Sequence, residues 1–229
     1  MRAAVRPGGW AAGWVLLVIA HSSVLLGQSA ERLYEAGAYR AAADSFASRA
    51  RLEPLVAAHW FNLGDAFYRA GDNVAARAAW VRAARLDPRE PEVDVALRLA
   101  PATDVLTQAL VPVEPFTPSE GWIGAVALWA LAWALVARRA RRRFVLVPLI
   151  LAALAAGWAL RAGRRYEQPV ALVRRANTPL RSAPYASAAS HRAVNDGVAV
   201  LVTRTRGAWL LVRRGAEWGW LLESEVVRL

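Results

Sequence analysis

Two uncharged apolar runs separated by a knot of arginines limit what this chain can fold into more than any other feature. Residues Gly121 to Ala137 (GWIGAVALWALAWALVA) carry no charge, and neither do Phe144 to Leu160 (FVLVPLILAALAAGWAL). Between them stand Arg138, Arg139, Arg141, Arg142 and Arg143, and Arg161, Arg164 and Arg165 follow the second run. As α-helices the runs would each extend roughly 26 Å, near the ~30 Å of a hydrocarbon core. A pair of helices buried in a soluble core is the competing arrangement. It would have to hide both helices on every side while solvating five arginines at their bend. Pro118 to Arg165 therefore reads as a membrane hairpin.

The arginines also orient it. Five positive charges between the spans, against three beyond the second, put the short loop in the cytoplasm and both long flanks outside. Trp122, Trp158 and Tyr166 fall at the outer ends of the spans, where aromatic side chains favour the interface. Trp129 and Trp133 share a helical face with Trp122 at greater depth, and are expected to pack against the other helix or a partner.

A net charge of +11 suggests nucleic acid until it is divided along the chain. From Gln28 to Glu120 ten arginines meet thirteen acids, and from Tyr166 to Leu229 nine arginines meet five. Eight of the positive charges border the two runs, so the basicity is mostly topological and no nucleic-acid partner is expected. Residues 1–28 place Arg2 and Arg6 before an apolar stretch and then small and polar residues, the layout of a secretory signal or a retained anchor. Ala20-His21-Ser22 and Gly27-Gln28-Ser29 are both candidate processing sites.

From Ser29 to Ala100 the composition turns to alanine, arginine, acids and spaced aromatics, and it repeats. Trp60, Leu63, Gly64, Phe67, Gly71, Ala76, Trp80, Ala83 and Pro88 form one unit, and Leu26, Ala30, Leu33, Gly37, Ala42, Phe46 and Pro54 a weaker one 34 residues earlier. Small Gly64, Ala76 and Ala83 let two antiparallel helices approach, Trp60, Phe67 and Trp80 fill between them, Gly71-Asp72 turns the chain and Pro88 stops it. Pro91 to Ala100 is expected to cap the array, and 101–120 to be a proline-punctuated linker. The spacing resembles the tetratricopeptide repeat. That resemblance implies a peptide-binding groove on the first helices, at Phe61, Asn62, Asp65, Tyr68 and Arg69, and at Glu31, Tyr34 and Glu35 in the first copy. An acidic, aromatic groove would favour a basic or amphipathic partner segment.

After a short linker at 161–169 the period changes. Val198, Val200 and Val202 alternate after Asn195-Asp196-Gly197, Trp209 to Arg213 alternate after Arg206-Gly207, and Arg214-Gly215 turns the chain into Glu217 to Leu222. Four or five short strands over 170–229 suit a small all-β barrel. The pieces Thr178 to Pro184, Gly207-Ala208-Trp209 and Gly219-Trp220-Leu221 resemble a bacterial SH3-like domain, in which Trp209 and Trp220 would serve packing. Tyr185 and Trp218 are then the candidates for an exposed ligand face, with peptidoglycan as an alternative ligand.

The fold class expected is thus a multidomain membrane protein of helical repeats, a two-helix hairpin and a C-terminal small barrel. This order of parts resembles the E-type membrane protein of the bacterial Bat (aerotolerance) operons. The resemblance implies a scaffold at the inner membrane, with repeats and barrel on the extracytoplasmic side, whose partners are membrane proteins of the same assembly, von Willebrand A-domain proteins among them. No catalytic set is apparent and no cofactor is expected. His21, His59 and His191 lie in three different segments, there is no cysteine, and no glycine-rich phosphate loop is present. His59 is expected as a partly exposed helix residue.

Overall fold

A computed structural model describes residues 30–229; the signal or anchor read at 1–28, and Leu26 of the weaker repeat unit, lie outside the described residues. Residues 30–35 are helical (α1) and are followed by α2 (Tyr39–Leu52), α3 (Ala57–Arg69), α4 (Asn73–Leu86) and α5 (Pro91–Leu99). The 34-residue period is visible in the backbone. Helices α2 and α4 begin and end 34 residues apart, and so do the starts of α3 and α5. Gly37 and Gly71 both take left-handed backbone, at φ 76° and 83°, where a side chain would be strained. Each turn closes with the same two bonds: Gly37 N–H to Tyr34 O and Ala38 N–H to Leu33 O, then Gly71 N–H to Tyr68 O and Asp72 N–H to Phe67 O. Asp72 also caps α4 by accepting from Ala75 N–H at 3.0 Å. Trp80 is buried against Gly64 so closely that a β-carbon at 64 would stand 2.4 Å from its ring.

The stretch expected as a linker folds. It forms α6 (Val105–Leu110), capped by Asp104, and buries Thr107 and Val111 completely or nearly so. Thr117 and Glu120 then make a reciprocal capping box that starts α7 (Pro118–Ala137). Helix α8 (Arg142–Tyr166) packs antiparallel on it. Both exceed the apolar runs seen in sequence and are long and apolar enough to cross a membrane. Small residues carry their contact: Ala125, Ala132, Ala152 and Ala159 are buried, and a β-carbon at Gly121 would meet that of Ala159 at 2.9 Å. The bend is a left-handed helix stop at Arg139, φ 54°, with Ala140 N–H bonded to Leu135 O and Arg139 N–H to Val136 O. Trp129 and Trp133 meet edge to face with ring centroids 6.1 Å apart and are 55% and 57% exposed, and Trp129 also lines a cavity between the two helices with Leu149, Ala152, Ala153 and Ala156 of α8.

Three residues after Tyr166 the chain enters an antiparallel sheet of β1 (Val170–Val173), β2 (Thr178–Arg181), β3 (Ser190–Val194), β4 (Ala199–Arg206), β5 (Trp209–Arg214), β6 (Glu217–Leu222) and β7 (Val226–Arg228). Its order is β3-β2-β6-β5-β4-β1-β7. The expected barrel does not close: β3 and β7 are the two edges, and the strands number seven instead of four or five. Sheet and helices share a core instead. Ala171 and Val173 face the interior of the sheet with Val198, Val200 and Leu210, whereas Val170 and Leu172 face Val74, Ala78 and Val81 of α4 and Val111. Polar contacts close the seam: Thr107 Oγ1 accepts from Ala199 N–H at 3.0 Å, Arg174 pairs with Asp72 at 3.2 Å, and Arg214 pairs with Asp104.

Leu172→Ala is expected to lower the unfolding free energy by about 2–5 kcal/mol, and Gly64→Ala by about 1–3 kcal/mol through overpacking on Trp80. Gly124→Ala, where a β-carbon meets nothing within 4 Å, should leave it unchanged. Denaturant unfolding of the full chain in mild detergent reads all three.

Candidate functional site

Helices α1 and α3 run side by side because the turn at Gly37 and the turn before α3 bring the first helix of each repeat unit to the same face. Glu31, Tyr34 and Glu35 of the first helix and Asn62 and Asp65 of the second line one open cavity of about 250 Å³, floored by Phe46. Among the described residues no basic side chain lines it. Glu31 and Glu35 are exposed, while Tyr34, Asn62 and Asp65 are half-buried. Five of the residues singled out from sequence therefore come together in one acidic groove.

Asp65 is its electrostatic centre. Burial pushes its carboxyl above the ordinary aspartate value, against the opposing pull of a hydrogen bond from Trp80 Nε1 at 3.0 Å and of the nearby Arg69 charge. The hydrogen bond fixes the carboxylate by tying it to the buried indole at the heart of the second repeat unit. A carboxylate held partly out of water without an ion-pair partner gains most from an incoming cation. The neighbouring Tyr34 phenol holds the Arg69 guanidinium above its ordinary value, and Arg69 itself is exposed and outside the lining of the cavity.

Three of the expected groove residues, Phe61, Tyr68 and Arg69, lie outside the lining of this cavity. Tyr68 packs on Trp80 with ring centroids 5.5 Å apart and belongs to the core between α3 and α4. Phe61, one helical turn before Asp65 on α3, lines a second cavity of about 490 Å³ together with Asp65, Pro91, Glu92, Val95 and Leu99. Helix α5 is thus a wall of the groove system as well as a cap. Its start, one period after Ala57, was the available signal, obscured because only one helix of a third unit is present. His59 is buried and bonded to Glu53 at 2.5 Å, which holds the Glu53 carboxyl below its ordinary value. The expectation of a partly exposed His59 fails because Glu53, just past the end of α2, reaches back to cover it.

On the sheet, Tyr185 and Trp218 are 56% and 52% exposed, and Trp220 is buried. Trp209 is half-buried under Arg181, whose guanidinium lies 5.3 Å from its ring. Trp218 on β6 stacks against His191 of β3 at 5.9 Å, and a β-carbon at Gly219 would strike Leu180. Arg138, Arg139, Arg141, Arg142 and Arg143 are all exposed at the far end of the hairpin from these domains. Among the described residues no cluster of histidine and acidic side chains could hold a metal ion. No protein-family model matches the chain, and no curated protein matches it in sequence.

Asp65→Asn keeps an oxygen for Trp80 and removes a poorly solvated charge. A raised carboxyl favours folding as pH falls through its value and costs stability above it, so the variant should melt at or above the wild-type temperature at neutral pH. The advantage should vanish on acidification, as read by thermal unfolding across pH.

Proposed function

We propose that the chain is a membrane-anchored adaptor that captures a basic or amphipathic segment of a partner protein in the groove between α1 and α3. The observation that carries this reading is the convergence of Glu31, Tyr34, Glu35, Asn62 and Asp65 on one cavity with no lining cation among the described residues. Carboxylates beside an aromatic ring suit lysine or arginine side chains interleaved with apolar ones. The 34-residue recurrence of helix limits and turn hydrogen bonds supports reading α1–α5 as tetratricopeptide repeats, whose grooves take peptides in this way.

In the same reading α7 and α8 span a bacterial inner membrane, with the arginine bend in the cytoplasm and both the helical repeats and the sheet on the extracytoplasmic side. The shared core between α4 and β1 supports a common side for the two domains, since α7 leaves from one and α8 returns to the other. The order of parts supports a place in a Bat-type aerotolerance or envelope-stress assembly, with von Willebrand A-domain membrane proteins as partners. A second reading, in which the sheet acts as an SH3-like module on peptidoglycan, is favoured by the exposure of Tyr185 and Trp218. Purified sacculi should then retain the wild type and release a Tyr185→Ala/Trp218→Ala variant.

A fluorescent peptide rich in lysine and leucine should bind the full-length protein in detergent and weaken with added salt. Glu31→Gln/Asp65→Asn should reduce that affinity at least about tenfold, as for the loss of a charged hydrogen bond. Tyr68 is unsuited to this test because of its packing on Trp80. Equal binding of an acidic peptide, or an unchanged affinity in the variant, would refute the groove. Orientation is checked separately: a reporter active only outside the cytoplasm should work when fused after Leu229 and be silent when inserted between Arg138 and Arg143.

A further inference from the structure

The cleft at the root of the hairpin has a composition that the adaptor role does not use. About 430 Å³ in volume, it is bounded by Trp60 and Pro54, by Arg82, Arg85 and Leu86 of α4, by Thr117 to Ser119 at the start of α7, and by Tyr166 and Leu229. Arg82 lies over the Trp60 ring at 4.4 Å and Arg85 over the Tyr166 ring at 4.7 Å. Among the described residues no carboxylate is within ion-pair distance of either, and residues 1–29 contain no acid that could reach them. Arg82 donates to Arg228 O at 3.1 Å, but Nε and one terminal nitrogen of Arg85 are buried with no described partner. Burial pushes both guanidinium groups below their ordinary value. They nevertheless stay charged, because arginine is not deprotonated in proteins.

Two like charges, one largely buried and short of hydrogen-bond acceptors, are a costly arrangement unless an anion completes it. We propose that this cleft binds the phosphate of an anionic phospholipid headgroup, gripped by Arg82 and Arg85. The chemistry of the grip is that of phosphate in general, since a planar guanidinium presents paired donors to two phosphate oxygens. Position selects the lipid as source. The cleft opens where α7 begins and α8 ends, the level of the headgroups if the hairpin spans a bilayer, and Pro54, Leu86 and Pro118 offer apolar surface to the lipid beyond its phosphate. The proposal rests on the membrane-spanning reading in this respect.

Alkaline extraction of neutral phosphatidylcholine proteoliposomes tests that reading alone, since a spanning protein stays with the bilayer whatever the lipid charge. For the site, full-length protein in detergent is titrated with phosphatidylglycerol, phosphatidylcholine or inorganic phosphate, with bound lipid counted by native mass spectrometry and stability by thermal shift. Phosphatidylglycerol should bind and stabilise the wild type. Arg82→Gln/Arg85→Gln should weaken that binding roughly tenfold or more, as loss of charge-assisted bonds implies, while melting no lower in the absence of lipid. Arg85→Lys, which keeps the charge and loses the fork, should fall between, and Arg138→Gln/Arg139→Gln at the opposite end should bind as the wild type does. Equal retention of phosphatidylglycerol by the double glutamine variant overturns the site. Stabilisation by inorganic phosphate equal to that by phosphatidylglycerol overturns the lipid as its occupant.

Discussion

Strand β1 is buried on both faces, and the rest of the architecture depends on that fact. Its four residues alternate between two cores, Ala171 and Val173 inward to the sheet and Val170 and Leu172 outward to α4. Neighbouring β4 does the same with Val200 and Val202 on one side and Ala199 and Leu201 on the other. A strand in this position has no solvent face, so the sheet cannot detach from the helices without exposing a continuous apolar surface. The hairpin is inserted between two halves of what is, by packing, one body.

This constraint explains which features were legible in the sequence. The apolar runs around the arginines and the 34-residue period are local patterns, and the helices they imply are where they were expected. The convergence of Glu31, Tyr34, Glu35, Asn62 and Asp65 on one cavity was legible in part, because the 34-residue period puts them on corresponding faces of two helices. Closure of the sheet and the fate of residues 101–117 were not, since both are decided by long-range contact. Thr107 looks like an ordinary polar linker residue until Ala199, 92 positions away, supplies the N–H that makes its burial affordable. The run Val170 to Val173 did carry a signal, four apolar residues without alternation, which suits a strand covered on both sides.

The two charge clusters of the helical domain show opposite solutions to one problem. Asp65 is half-buried and held by an indole donor, and among the described residues no cation lines its groove. Arg82 and Arg85 lie over aromatic rings, and among the described residues neither forms an ion pair. Within one body of this size the two could have neutralised each other, as Arg174 and Asp72 do at the domain seam. They are instead turned to different surfaces, the carboxylates toward the open groove and the guanidiniums toward the hairpin root.

Only Glu167, Gln168 and Pro169 separate α8 from β1. A tether of that length spans about 10 Å at full extension, and the core shared with α4 already uses it. On a spanning hairpin the sheet would therefore have no freedom to search the space away from the bilayer. On such a hairpin anything that meets Tyr185 or Trp218 would have to be delivered to within a domain's width of the lipid surface, which would favour occupants that are themselves held in that thin layer.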